Sequence, residues 1–271
     1  MKPNRFLLAL LLLLTASVAQ AADPTTIVLA STTSLQDSGL LDHILPQFTA
    51  ETGIVVHVIA QGTGQALATA AHGDADLVLV HDPAAEAEFM AAGHGAISTE
   101  IAWNDFIIVG PDTDPAKIVG QTNVTDAFKA IAAAQAPFVS RGDKSGTDAA
   151  EKRIWRTAGV VPAGGWYRDI GGGMGAALNT ASAMGAYTLS DRGTWLSYAN
   201  KKGMRIVLEG DRRLLNFYDV ILLNPATHPQ ALQAPAHMLA QWLASTEGQS
   251  AIAAYTKGGQ KLFHPEADPK P

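Results

Sequence analysis

The chain has 271 residues, 19 basic against 25 acidic for a net charge of −6, and no cysteine. The acidic balance argues against nucleic acid or an anionic membrane surface as partner, and any anion site has to be built locally against the global field. Without cysteine there is no disulfide, no thiolate chemistry and no acylated-cysteine anchor, so the core alone must stabilise the fold.

Residues 1–21 read as a secretion signal. Lys2 and Arg5 form a short positive region, Phe6 to Leu14 (FLLALLLLL) is apolar throughout, and Ala19-Gln20-Ala21 fits a small-residue cleavage site. The apolar run is far short of the ~20 residues of a spanning helix. Cleavage after Ala21 would remove two positive charges and leave a soluble periplasmic chain.

The mature sequence opens with a strand, Thr26 to Ala30 (TIVLA), followed by the polar cluster Ser31-Thr32-Thr33-Ser34. Leu40, Leu41, Ile44, Leu45 and Phe48 recur at helical spacing, and Gly53 ends that helix. Ile54 to Ala60 is a second strand. Gly62-Thr63-Gly64-Gln65 leads into an alanine-rich helix closed near Gly73, and Leu77 to Val80 (LVLV) is a third strand. This β-α-β-α-β alternation with continuous apolar strands predicts a parallel sheet covered on both faces. Phe106 to Val109 is another strand and Val124 to Ala134 a helix. Phe138-Val139 ends a short strand, and the turn Arg141 to Thr147 leads into a helix over Asp148 to Ala158. Ala176 to Met184 reads as a helix, Ala186 to Leu189 and Val220 to Leu223 as strands, and Ala236 to Ala254 as one or two closing helices.

Three polar clusters, Ser31 to Ser34, Gly62 to Gln65 and Arg141 to Thr147, each sit between a strand and a helix start. In open α/β sheets ligands bind at the carboxyl ends of strands. Helix N-termini there present unpaired N–H groups and a partial positive charge, and small residues let an anion approach the backbone. Ordinary N-capping needs only one Ser or Thr, whereas STTS supplies four hydroxyls in a row. In SRGDKSGT, Arg141 offers a planar fork that matches two oxygens of a tetrahedral anion, and Ser145, Gly146 and Thr147 add hydroxyls and N–H groups. Asp143 could hold Arg141 or cap the turn, and Lys144 reads as a solvated surface residue.

Other motifs fail their context. No Gly-Lys-Ser/Thr follows Gly62-Thr63-Gly64, which excludes a nucleotide P-loop. GGGMGA at Gly171 to Ala176 formally contains GxGxxA, but Trp166 to Ile170 is no buried apolar strand, so a loop beside a ligand or a plain reversal is the better reading. The eight histidines are scattered, without HExxH, and GxSxG is absent. Asp74, Asp76 and Asp82 read as cap and turn residues around Leu77 to Val80.

The blocks STTSLQDSGLLDHILPQF, GTGQAL, GDADLVLVHDPAAE, WNDFIIVGP, SRGDKSGTDAAE, MGAALNTAS and YTLSDRGTW, in this order, resemble the periplasmic tungstate-binding proteins of ABC importers. They cover most of the chain from Thr26 to about Phe263, and Ser31 stands where relatives commonly carry Thr. The resemblance implies a type II periplasmic binding protein, an α/β fold of two lobes with a ligand cleft and two crossing hinge segments. It implies a first lobe over 22–104, a second over 105–217, and a return to the first over 218–271. It further implies ligand contacts at Thr32, Thr33, Ser34, Arg141, Ser145, Gly146 and Thr147, joined by Thr63, Gly64, Gly175 and Thr188. The implied ligand is tungstate or molybdate with no cofactor and no metal ligation by protein. The implied partner is a membrane permease with its cytoplasmic ATPase, and the protein would be a monomer and not an enzyme.

Elementary chemistry agrees. Tungstate and molybdate carry no proton near neutral pH, so their site needs donors alone. Monoprotonated phosphate would also want an acceptor, for which Asp143 is the sequence candidate, and phosphate-binding relatives carry a similar Arg-x-Asp-x-Ser-Gly-Thr pattern. A periplasmic phosphoester enzyme would need a metal cluster or an activated nucleophile, and neither spacing is visible.

Overall fold

The computed structural model describes residues 25–270, and the predicted secretion signal lies outside them. The chain begins with β1 (Thr26–Thr32), α1 (Thr33–Ser38), α2 (Leu40–Thr52), β2 (Val55–Gln61), α3 (Thr63–His72), β3 (Leu77–Val80) and α4 (Pro83–Ala91). As the alternation predicts, β1 lies between β2 and β3 in parallel register. Each residue of β3 is buried, as a strand covered on both faces requires. Helix α2 buries its predicted apolar stripe and ends at Gly53, whose φ of 73° is cheap only for glycine. The sequence reading assigns no element to 83–91, where the structure has α4. Asp82 caps it by accepting from the N–H groups of Ala84 and Ala85, with Pro83 in the first turn.

There follow β4 (Gly95–Pro111), α5 (Val124–Ala133), β5 (Phe138–Ser140), α6 (Gly146–Thr157), β6 (Tyr167–Asp169), α7 (Met174–Met184), β7 (Tyr187–Asp191), α8 (Arg192–Ser197), β8 (Met204–Leu208), β9 (Leu215–Leu223), α9 (Gln233–Ala244) and α10 (Thr246–Ala254). The strand order is β2-β1-β3-β9-β4-β7-β5-β6, with β8 also on β4.

Two expectations need correction. The strand read at Phe106 to Val109 is only the far end of the 17-residue β4. The sheet is also mixed, because β9 runs antiparallel to β3 and β4, and β4 antiparallel to β7. The reason is topological: a chain that crosses between two half-sheets and returns does so on two antiparallel neighbours. Residues 95–105 of β4 pair with β9, whereas 106–111 pair with β7 and β8. Each half has its own core, one around Phe48, Leu77, Trp242 and Phe263, the other around Phe128, Phe138, Trp155 and Tyr187. Helix α6 starts two residues earlier than predicted, since Ser145 rather than Thr147 is its cap.

A carboxyl pair, Glu86 buried and Asp219 half-buried, bears on stability. Glu86 of α4 faces Asp219 of β9, and burial together with the neighbouring Asp219 charge pushes Glu86 up to about 8. A folded pKa above the unfolded one contributes stability that is present at low pH and lost as pH rises toward 8. The melting temperature should therefore fall between pH 5 and pH 8, and Glu86→Gln should flatten that fall by on the order of 1–3 kcal/mol. Parallel melting profiles for the two proteins would refute this.

Candidate functional site

Strands β1, β2 and β3 end at one edge, and their successors are α1, α3 and the segment His81-Asp82. In the other half, β5 ends at Ser140 and feeds SRGDKSGT into α6. A cavity of about 120 Å³ lies between these parts. Thr33, Ser34, Asp37 and Ser38 of α1 form one wall. Arg141, the α7 start Gly173-Met174-Gly175 and, from α8, Gly193, Thr194 and Ser197 form the others. Organic-ligand pockets typically span ~300–1,000 Å³, so this one suits a small ion.

The Arg141 loop is held from several sides. The carboxylate of Asp148, which is buried, accepts from Gly142 N (3.1 Å), Lys144 N (3.2 Å) and Lys152 Nζ (2.8 Å). Gly142 has a φ of 62°, which glycine adopts freely. Arg141 is itself 4% exposed. Its Nε and Nη2 both donate to Asp143 Oδ2, at 3.1 and 2.5 Å, and its Nη1 donates to Thr147 Oγ1 at 3.3 Å. A guanidinium has five N–H bonds, so one on Nη1 and one on Nη2 remain for a ligand. Burial pushes the Asp143 carboxyl up, but hydrogen bonds from Ser145 and Arg141 and the Arg141 charge outweigh it and hold the pKa below the usual value. Asp143 is thus committed to positioning Arg141 and bonding Ser145 N, which weakens its candidacy as a phosphate acceptor. The Arg141 carbonyl also accepts from Gly172 N at 2.9 Å, which ties the glycine-rich turn to the same loop.

That turn is the entry to α7, and its cap Gly173 offers no side-chain hydrogen bond. The first N–H groups of the helix therefore stay available beside the cavity, with the positive end of its dipole. The GGGMGA segment is a backbone loop at the pocket, one of the two readings that the sequence left. On the opposite wall, Thr32 Oγ1 caps α1 through Leu35 N (3.3 Å) and lies 3.2 Å from Ser34 Oγ.

Of the predicted site residues, Thr33, Ser34, Arg141 and Gly175 line the cavity. Thr32, Ser145, Gly146 and Thr147 stand behind it. Ser145 caps α6 through Asp148 N (3.3 Å), and Thr147 accepts from Arg141. Thr63 and Gly64 open α3 on the same sheet edge but are not lining residues. The buried Thr63 hydroxyl lacks a hydrogen-bond partner among the described residues, as a donor awaiting an acceptor would. Thr188 sits within β7, opposite Val109 and Val139, with its hydroxyl turned to the Leu189 carbonyl (3.5 Å), and does not line the cavity.

Sequence reasoning missed Asp37, Met174, Gly193, Thr194 and His81. The first four lie inside quoted motif blocks; Met174, Gly193 and Thr194 stand at helix starts, whereas Asp37 is the fifth residue of the six-residue α1. Among eight scattered histidines, no spacing singles out His81. It follows β3 directly, is 4% exposed, and places Nε2 3.0 Å from Ser34 Oγ. No group of three or more potential metal ligands occurs among the described residues.

Comparison with known proteins accords with this geometry. The PBP superfamily domain matches residues 19–247. The tungstate-binding protein TupA of Peptoclostridium acidaminophilum is 44% identical over 245 residues, 89% of this chain and 86% of that protein. The solved tungstate-binding protein of Desulfovibrio alaskensis G20 superposes with a TM-score of 0.81 at 40% identity, over 90% of this chain and 100% of that one. The solved tungstate ABC transporter protein of Geobacter sulfurreducens gives 0.77 at 41% identity, over 85% and 98%. With a family domain spanning most of the sequence and relatives this similar along nearly their whole length, the chain belongs to the PBP superfamily and, within it, to the family of tungstate-binding solute-binding proteins.

Proposed function

We propose that this protein captures tungstate, and molybdate with it, as an unprotonated tetrahedral dianion in the cavity between α1 and α7. It then delivers the anion to the permease of an ABC importer in the periplasm, as a monomer and without catalytic turnover. The observation that carries this reading is the Arg141 guanidinium, locked by Asp143 and Thr147 with two N–H bonds to spare, beside an uncapped helix start and two hydroxyls. Hydroxyl, amide and guanidinium donors make up most of the lining, as an anion without protons requires, and Asp37 is the one carboxylate in it. The half-sheets serve as lobes, with β4 and β9 as crossing segments and boundaries at 22–104, 105–217 and 218–271. Thr33, Ser34, Arg141 and Gly175 make direct contacts, and Thr32, Ser145, Gly146 and Thr147 support them. Thr63, Gly64 and Thr188 belong to an outer ring.

Tungstate should bind at one site per chain and raise the melting temperature. At a thousandfold excess over Kd the stabilisation is about 4 kcal/mol. For a chain of this size that corresponds to roughly 8–16 °C. Neither heat nor thermal shift with tungstate or molybdate would reject the reading.

Affinity should also be nearly flat around neutral pH, because neither the anion nor the Arg, hydroxyl and amide donors titrate there. Phosphate as the true ligand would show a dependence that follows its second ionisation at about pH 6–7. Calorimetry at several pH values separates the two. A steep dependence for tungstate would count against the donor set named above.

A further inference from the structure

The His81 ring is wedged into the wall behind Ser34. Its Nδ1 lies 3.0 Å from Asn216 Oδ1, and Tyr218 covers one face at a centroid distance of 4.9 Å. Asn216 spends its amide protons on Asn104 Oδ1 and the Tyr218 hydroxyl, each at 2.8 Å. What it turns to the ring is therefore a carbonyl oxygen, so Nδ1 carries the ring proton. Burial lowers the His81 pKa, against Asn216, Asp191 and Asp82, which raise it, and with Arg141, which lowers it further. The ring is thus neutral and Nε2 is a bare acceptor. Ser34 must give Nε2 its only proton, which leaves lone pairs toward the cavity. An oxyanion there would meet an acceptor where it needs a donor.

We infer that His81 is the positioning residue that makes Ser34 a donor to the oxyanion, by carrying its ring proton on Nε2 when the anion is bound. This rests on the proposed oxyanion site. Ser34 then accepts from His81 and donates to the ligand. Nδ1 loses a proton and Nε2 gains one, so the ring stays neutral and no net proton is taken up. Asn216 and Asn104 then both reverse their amides: Asn216 donates to Nδ1 and accepts from Asn104 Nδ2, and the Tyr218 hydroxyl, which accepts from both amides at rest, donates its one proton to one of the two amide oxygens. The ring itself has no room to swing away. Tyr218 stands on one side, and the Gly146 backbone stands so close that a Cβ there would lie 2.5 Å from Cε1.

The test uses the full mature chain with ¹⁵N-labelled histidine and tungstate as the probe. Adding tungstate should convert the His81 ring signature from Nδ1–H to Nε2–H. In calorimetry, His81→Ala should weaken tungstate binding about two- to tenfold, the worth of one neutral hydrogen bond. In a Ser34→Ala background the same change should cost less than about twofold, since the partner it acts through is gone. His81→Gln, whose amide N–H can reach Ser34, should recover most of the loss. An unchanged tautomer on loading, or an equal His81→Ala loss without Ser34, overturns the inference. Should His81→Ala fail to fold, the wild-type tautomer and the His81→Gln affinity still decide. If the wild-type protein takes up neither tungstate nor molybdate, the site itself is wrong and this inference falls with it. Tungstate binding with an unchanged tautomer rejects this inference alone.

Discussion

Arg141→Ala is expected to weaken tungstate binding by about ten- to a thousandfold while the chain stays folded. Hydrogen bonds from a charged donor contribute roughly 1.5–3 kcal/mol each, and Arg141 has two N–H bonds that its protein partners leave free. Loss of the guanidinium also strips Asp143 of its two bonds from Arg141, so the empty protein should melt somewhat lower. A purely structural role would show that lower melting temperature with nearly unchanged affinity, and measuring both on one variant decides the matter. Arg141→Lys should recover only part of the loss, because one ammonium cannot hold Asp143, reach Thr147 and meet two ligand oxygens at once. Ser34→Ala should cost less, about 0.5–1.5 kcal/mol.

The contrast between Arg141 and His81 shows what the sequence could reveal. SRGDKSGT announces itself locally: a fork-shaped cation, a carboxylate two residues on, and a hydroxyl-rich helix start all within one loop. Their bonds in the structure span at most six residues. Local motifs of this kind are legible because the chain brings their members together whatever the rest of the fold does. His81 depends on partners 47 and 135 residues away, Ser34 and Asn216. No spacing rule connects these three positions, and only the pairing of β1 with β3 and of β3 with β9 makes them neighbours.

The same distinction runs through the fold. The strands β1, β2 and β3 and the helix α2 were readable because each has its own periodicity or apolar run. The 17-residue β4 is not, because its stretch GAISTEIAWND offers neither an unbroken apolar run nor a strict alternation. Those residues are extended because β9 pairs with them, which is a tertiary cause. The resemblance to known binding proteins implies a lobe boundary at Asn104-Asp105, which remains a proposal; what the structure shows is that β4 passes from pairing with β9 to pairing with β7 between Asp105 and Phe106. Residue chemistry alone does not mark that change of partner. Met174 and Thr194 are comparable cases at the site: nothing in their side chains marks them, and their place at the openings of α7 and α8 does.

Gly146→Ala is expected to weaken tungstate binding about five- to 150-fold without destabilising the empty protein. Gly146 is the first residue of α6, and a Cβ on it would lie 2.5 Å from His81 Cε1 and 2.8 Å from Nδ1. The imidazole is no free end that could yield, since Ser34 and Asn216 hold its two nitrogens and Tyr218 lies on its face. One added methyl group in such a contact costs typically 1–3 kcal/mol, which sets the expected loss. Helix α6 belongs to one half of the sheet and His81 to the other, so the clash falls on the approach of the halves rather than on either core. Gly146 has no positive φ, so within α6 alone an alanine there carries no backbone penalty, and an empty protein free to hold its halves apart should melt no lower than the wild type. Low-angle scattering with and without tungstate should show the wild-type chain compacting and Gly146→Ala compacting less at equal ligand concentration. If the variant binds tungstate as tightly as the wild type, the halves do not need Gly146 against His81 when the ligand is held. If affinity falls only in step with the melting temperature of the empty protein, the contact is part of the resting fold and not of closure.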